Sequence, residues 1–172
     1  MHPDLVSVHL PFDDLERDTI ELAKNTGIEI IKVYSFEMKK EVTGGNVREY
    51  YFQAVSNSSW ANEGYLVAPS FNDEALKQLS KLNASFGIGV IKLNIEDVHQ
   101  SEILLPSRDN DLDMTMIDEL VRINKNFSTF VSIINKSMSA GGLFGESKFD
   151  KVLDDDELQE YIKKKKIDKM SF

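Results

Sequence analysis

Apolar positions along the chain switch repeatedly between the two-residue period of strands and the roughly 3.6-residue period of helices. Leu5-Val6-Ser7-Val8-His9-Leu10 is a short apolar run stopped by Pro11, which predicts a strand. Asp13 or Asp14 can cap a helix over 14–25 that carries Leu15, Thr19, Leu22 and Ala23 on one face. Thr26-Gly27 ends it, glycine accepting the left-handed conformation that a helix stop favours. Residues 28–39 then alternate and are rich in β-branched and aromatic side chains, predicting a second strand.

Gly44-Gly45-Asn46 marks a turn and cap, after which Val47, Tyr51, Ala54, Val55 and Ser58 recur on one helical face. Gly64-Tyr65-Leu66-Val67-Ala68, before Pro69, reads as a short buried strand. Asn72 opens a helix with Ala75, Leu76, Leu79 and Leu82 inward, closed near Gly87, and 88–93 forms another strand. Strands alternating with helices of this length predict an α/β sheet whose inner strands are covered on both faces. Past Pro106 the pattern predicts helices at 114–120 and 126–134, then a linker at Ser139-Ala140-Gly141-Gly142. A terminal helix is expected over 154–166, acids in its first turn and the lysine run 163–166 in its last, as the helix dipole favours. The division expected is an α/β domain over 1–136 and a linker with a helical tail over 137–172.

Composition narrows the function classes. A chain of 172 residues supports one well-buried core rather than two full domains. The absence of cysteine excludes disulfides and thiolate metal sites. No apolar run approaches the roughly 20 residues of a membrane span, and Met1-His2-Pro3-Asp4 lacks a signal peptide's basic and apolar regions. A cytoplasmic location with no membrane partner is expected. The net charge of −9 argues against a surface that holds nucleic acid by charge alone. From Asp150 onward seven acids face six lysines, so nearly all of the excess lies before the tail. A nucleic-acid role therefore needs a local basic groove or another domain.

Candidate chemistry gathers at the end of the second strand. Ile31, Val33, Ser35, Glu37 and Lys39 share one face, and Ile30, Lys32, Tyr34, Phe36 and Met38 the other. The first face runs from apolar to charged, so Glu37 and Lys39 are expected to emerge side by side at the sheet's edge. A carboxylate there can hold Mg²⁺ through hard oxygen, and an adjacent ammonium can steady a phosphate or position the attacking water. Asp4, at the start of the first strand, offers a second carboxylate. Glu146-Ser147-Lys148 fits the same spacing but sits in a glycine-rich stretch with nothing to fix its geometry.

With Pro3-Asp4 as one half-motif and Glu37-Met38-Lys39 as the other, the chain resembles the PD-(D/E)xK nuclease superfamily, the restriction-endonuclease-like proteins. The segments Tyr34-Ser35-Phe36-Glu37-Met38-Lys39, Phe52-Gln53-Ala54-Val55-Ser56-Asn57-Ser58-Ser59-Trp60-Ala61 and Phe86-Gly87-Ile88-Gly89-Val90-Ile91-Lys92-Leu93 add a narrower likeness. They resemble the C-terminal domain of bacterial proteins that carry a HARE-type winged-helix domain and are associated with restriction systems. The resemblance implies a mixed sheet flanked by helices, with Mg²⁺ (or Mn²⁺) as cofactor and DNA as partner. Asp4, Glu37 and the Met38 carbonyl would hold the metal, and Lys39 would be catalytic. On the following helix Gln53 would assist near the metal-bound water or the DNA backbone, while Arg48 and Asn57 would bind substrate, Arg48 at the helix's N-terminal turn. The family core begins with a helix and a strand ahead of its Pro-Asp strand. This chain starts at the motif, so those elements are expected to be missing, as is an N-terminal DNA-binding domain, and the strand edge they leave would be covered by a homodimer or another partner.

Plainer readings accompany each of these. Glu37 and Lys39 read equally as a surface ion pair of little energetic weight, Asp4 as a turn acid, and Gln53, Arg48 and Asn57 as solvated helix residues. Trp60 reads as packing, His2, His9 and His99 show no ligand spacing, and the lysine run 163–166 reads as a solvated helix end. The reading carried forward is Mg²⁺-dependent phosphodiester hydrolysis of DNA. Its alternative is a catalytically inactive nuclease-like module for DNA binding or protein interaction. A small-molecule-binding regulatory domain, from a third class, has no glycine-rich phosphate loop in its favour.

Overall fold

The computed structural model describes residues 3–145. Five strands form one mixed sheet in sequence order: β1 (Leu5–His9), β2 (Lys32–Met38), β3 (Glu63–Ala68), β4 (Gly89–Lys92) and β5 (Glu102–Leu105). The outer pairs β1/β2 and β4/β5 are antiparallel, while β2/β3 and β3/β4 are parallel. Parallel neighbours need long crossovers, and the helices α2 (Val47–Ser58) and α3 (Asp73–Phe86) supply them. The remaining helices are α1 (Arg17–Thr26), α4 (Met114–Ile123) and α5 (Lys125–Ala140). The chain is thus a mixed α/β structure with helices flanking its sheet.

Two apolar clusters fix the layers. In the first, Val47, Tyr51 and Ala54 of α2 and Ala75 and Leu79 of α3 pack against Leu66, Ala68 and Val90 of the central strands. In the second, Leu120 of α4 and Phe127 of α5 meet Val33 and Trp60, with Val6 and Val8 of β1 packed against them. Trp60 and Phe127 meet edge to face, ring centroids 4.9 Å apart. Register brings Ser35 level with Gly64 and Glu37 level with Leu66, so Val33, Ser35 and Glu37 point to the side that α2 covers. The opposite side of β2 is more open: Tyr34 and Phe36 are half-buried and stacked in series with Tyr65, and Met38 is exposed.

Close approach at the end of α2 depends on Gly64, because a Cβ there would collide with the Ser58 side chain and with Ile88. Helix ends follow the sequence at α3. Asn72 accepts from the Ala75 N–H at 2.9 Å, and Gly87 closes the helix at φ 80°.

Several expectations need correction. The first helix begins at Arg17 rather than 14, because residues 11–15 form a turn closed on the Pro11 carbonyl, and Asp14 lies 2.6 Å from the His9 ring instead of capping. Its buried positions are Ile20 and Ala23, while Leu22 is 60% exposed. Strand β5 was not expected. Its Glu-Ile-Leu-Leu run lacks alternation, and pairing with β4 alone holds it extended. Helix α5 runs through Ser139 and Ala140, where a linker was expected, and Gly141 is its left-handed cap. The 154–166 helix, the lysine run 163–166, Glu146-Ser147-Lys148 and His2 lie outside the described residues.

Tyr51 bolts α2 to the start of β4. Its fully buried hydroxyl donates to the Ile88 carbonyl at 2.9 Å and accepts the Ile88 N–H at 3.1 Å. Burial pushes the phenol up to about 12, outweighing the opposite pull of the hydrogen bond with the Ile88 backbone. In an unfolded chain a tyrosine ionises near 10. The stability that comes from keeping Tyr51 neutral is therefore complete below about pH 10 and lost as pH rises through about 12. Tyr51→Phe should cost about 1–3 kcal/mol by orphaning the Ile88 amide. Urea unfolding at neutral pH measures that loss, and an alkaline series should show wild-type stability falling toward the variant's.

Candidate functional site

Strand β2 delivers Glu37 and Lys39 to one end of the sheet, the Lys39 N–H being fixed on the Val67 carbonyl at 2.8 Å. Contrary to expectation, Glu37 does not emerge at a solvent edge: it is 6% exposed. It lies in the layer between β2 and α2, the second strand's face staying covered to its last inward position. Both of its carboxylate oxygens are engaged. Oε1 accepts from the Lys39 ammonium at 2.6 Å, and Oε2 accepts from Asn57 Nδ2 at 2.7 Å. A carboxylate removed from water requires such donors, so the pair is more than a surface ion pair.

Helix α2 supplies the other wall. Tyr50, Gln53 and Asn57 are spaced three and seven residues apart, which sets them on one stripe. The Tyr50 ring faces the Lys39 ammonium at 5.0 Å from its centroid, and Asn57 holds Glu37. Gln53 stands between them, part-buried, and makes no hydrogen bond among the described residues. Asn57 is itself anchored, for its carbonyl accepts from Trp60 Nε1 at 2.8 Å and from Ser35 Oγ at 3.4 Å. Its amide oxygen Oδ1 is buried without a partner. Trp60 thus packs, as expected, but also closes the end of the site helix.

Asp4 precedes β1. Its N–H donates to the Phe36 carbonyl at 3.1 Å, and its carboxylate Oδ2 accepts the Met38 N–H at 2.8 Å. The ladder's last pair is Leu5 with Phe36, and Asp4 lies just beyond it in a bend, its carboxylate turned to the Met38 backbone. Asp4 is exposed where Glu37 is buried. A cavity of about 1040 Å³, lined by Pro3, Asp4, Val6, Leu120, Phe127 and Ile133 among others, opens beside β1 and reaches neither Glu37 nor Lys39.

Glu37, Lys39 and Asn57 are therefore brought together, with Gln53 on the same helical stripe as Asn57 and the exposed Asp4 on the Met38 N–H. Arg48 is not: it is exposed on the first turn of α2, nine residues before Asn57 and so on the far side of the helix. Tyr50 was missed by the sequence reading, although its spacing from Gln53 and Asn57 marked it.

Among the described residues no group of three or more His, Cys, Asp or Glu converges. Both Glu37 oxygens are engaged by Lys39 and Asn57, and Asp4 Oδ2 by the Met38 N–H, so a hard cation held here through carboxylate oxygen would have to share or displace those donors. The orphaned Asn57 Oδ1 adds an unused oxygen acceptor behind Glu37.

No protein-family model matches the chain, and neither a curated protein nor a solved structure does.

Asn57→Leu should leave the buried Glu37 carboxylate one donor short, at a cost of about 1–3 kcal/mol. Ser56→Leu, one position away at an exposed site, should be nearly neutral. Paired denaturant midpoints for the two variants make the comparison.

Proposed function

We propose that the chain is a restriction-endonuclease-like domain that hydrolyses phosphodiester bonds of DNA with Mg²⁺ (or Mn²⁺). The observation that carries this reading is the pairing of Glu37 with Lys39 at 2.6 Å, at the end of the strand whose antiparallel neighbour is preceded by Asp4. An antiparallel strand pair followed by a helix and a parallel strand is also the frame that the Pro3-Asp4 and Glu37-Met38-Lys39 motifs require.

Asp4 and Glu37, with the Met38 carbonyl, would hold the metal, whose contribution is to neutralise phosphate charge and acidify a bound water. Lys39, as an ammonium, would hold the scissile phosphate and orient the attacking water. The phosphorus–oxygen bond to the leaving sugar breaks as the water oxygen adds in line. Gln53, part-buried on the same stripe, would donate to that water or to the DNA backbone. Asn57 keeps Glu37 in one orientation, and Arg48 would meet the backbone farther along.

A second reading is favoured by one observation: Glu37 is 6% exposed with both oxygens occupied. In that reading the pair is structural, and the domain is an inactive nuclease-like module that binds DNA or a protein.

Incubation with supercoiled plasmid and with single-stranded DNA in Mg²⁺ or Mn²⁺ separates the two. The active reading expects cleavage abolished by EDTA and reduced roughly 10²–10⁴-fold by Lys39→Ala. Equal cleavage by wild type and variant sinks the mechanism, and none by either favours the module.

A further inference from the structure

We infer that Tyr50 is a positioning residue: its ring confines the Lys39 ammonium to one place beside Glu37. The catalytic consequence rests on the nuclease reading, but the placement does not.

A lysine side chain is a flexible four-carbon stem ending in a compact charge, and one carboxylate contact leaves it free to swing about that contact. Lys39 is restrained at three points. Its backbone N–H is held by Val67, its ammonium meets Glu37 Oε1 at 2.6 Å, and the Tyr50 ring centroid lies 5.0 Å from the same nitrogen. The face of an aromatic ring attracts a cation, and more so where water is scarce. Here the Lys39 side chain is 19% exposed and Glu37's is 7% exposed, so little water competes.

The ring is itself fixed. Tyr50 sits in the first turns of α2, its N–H donating to the Asn46 carbonyl at 3.1 Å, and it packs against the core cluster built on Tyr51 and Leu66. Its hydroxyl makes no hydrogen bond among the described residues, so the ring and not the phenol oxygen acts on Lys39. Phenylalanine should therefore substitute for it, and an aliphatic side chain should not.

The test compares full-length wild type with Tyr50→Phe and Tyr50→Leu. In NMR spectra, an upfield ring-current shift of the Lys39 ε-methylene protons is expected in wild type and Tyr50→Phe, and its loss in Tyr50→Leu. In the cleavage assay, Tyr50→Leu should lower kcat roughly tenfold with KM within about twofold, and Tyr50→Phe should match wild type. Unchanged Lys39 resonances in Tyr50→Leu, or equal loss of kcat in both variants, would overturn the assignment. If wild type cleaves no DNA, the nuclease reading falls alone, and the Lys39 shifts still decide the placement. Tyr50→Met replaces Tyr50→Leu should the latter fail to fold, with the same outcomes expected.

Discussion

Glu37 is where the sheet and its covering helix are committed to one another. A carboxylate 6% exposed loses most of its hydration, a loss of several kcal/mol unless donors replace the water. One donor, Lys39, comes from the same strand and asks nothing of the rest of the fold. The other, Asn57, comes from the last turn of α2 and reaches Glu37 only if that helix has the right height and rotation over β2. Ser35 and Trp60 hold the Asn57 carbonyl, and Gly64 leaves room for Ser58 beside it. The ionic contact therefore sets a geometry that apolar packing of Val47, Tyr51 and Ala54 would tolerate with some slack. Its net stabilisation is modest in principle, while breaking it by deleting one partner is expensive. That asymmetry suits a device that specifies position.

Much of this was legible from residue order, and the failures have physical causes. Alternation assigned Val33, Ser35 and Glu37 to one face, and the register confirms it. Alternation says which side a residue faces, however, and not how deep the covering helix reaches. The acid at the end of the strand was therefore expected in water, whereas α2 extends over it. Asn72 and Gly87 marked α3 because both ends rely on local backbone chemistry. The start of α1 was misplaced because Asp14 has two competing uses, capping and the His9 contact, and only the tertiary turn at Pro11 decides between them. Strand β5 had no local signal, its extended form being imposed by β4. Tyr50 was hidden by its neighbour. Tyr51 claims the core stripe, and a residue about 100° farther round reads as a helix flank until Lys39 is placed beneath it.

The acidity of the chain bears directly on the function proposed. Glu37 and Asp4 set against the Lys39 ammonium leave these three side chains with a formal negative charge. A phosphodiester approaching them meets like charge at short range, where the low-dielectric wall of α2 strengthens the repulsion. Lys39 offsets it only in part while paired with Glu37. On the nuclease reading a divalent ion would offset that repulsion as well as acidify water. The same balance explains why Lys39 must be held by something other than Glu37 alone. Were a second cation to share that carboxylate, the Coulombic hold on the ammonium would weaken, and the Tyr50 ring, which carries no net charge, would still contact it.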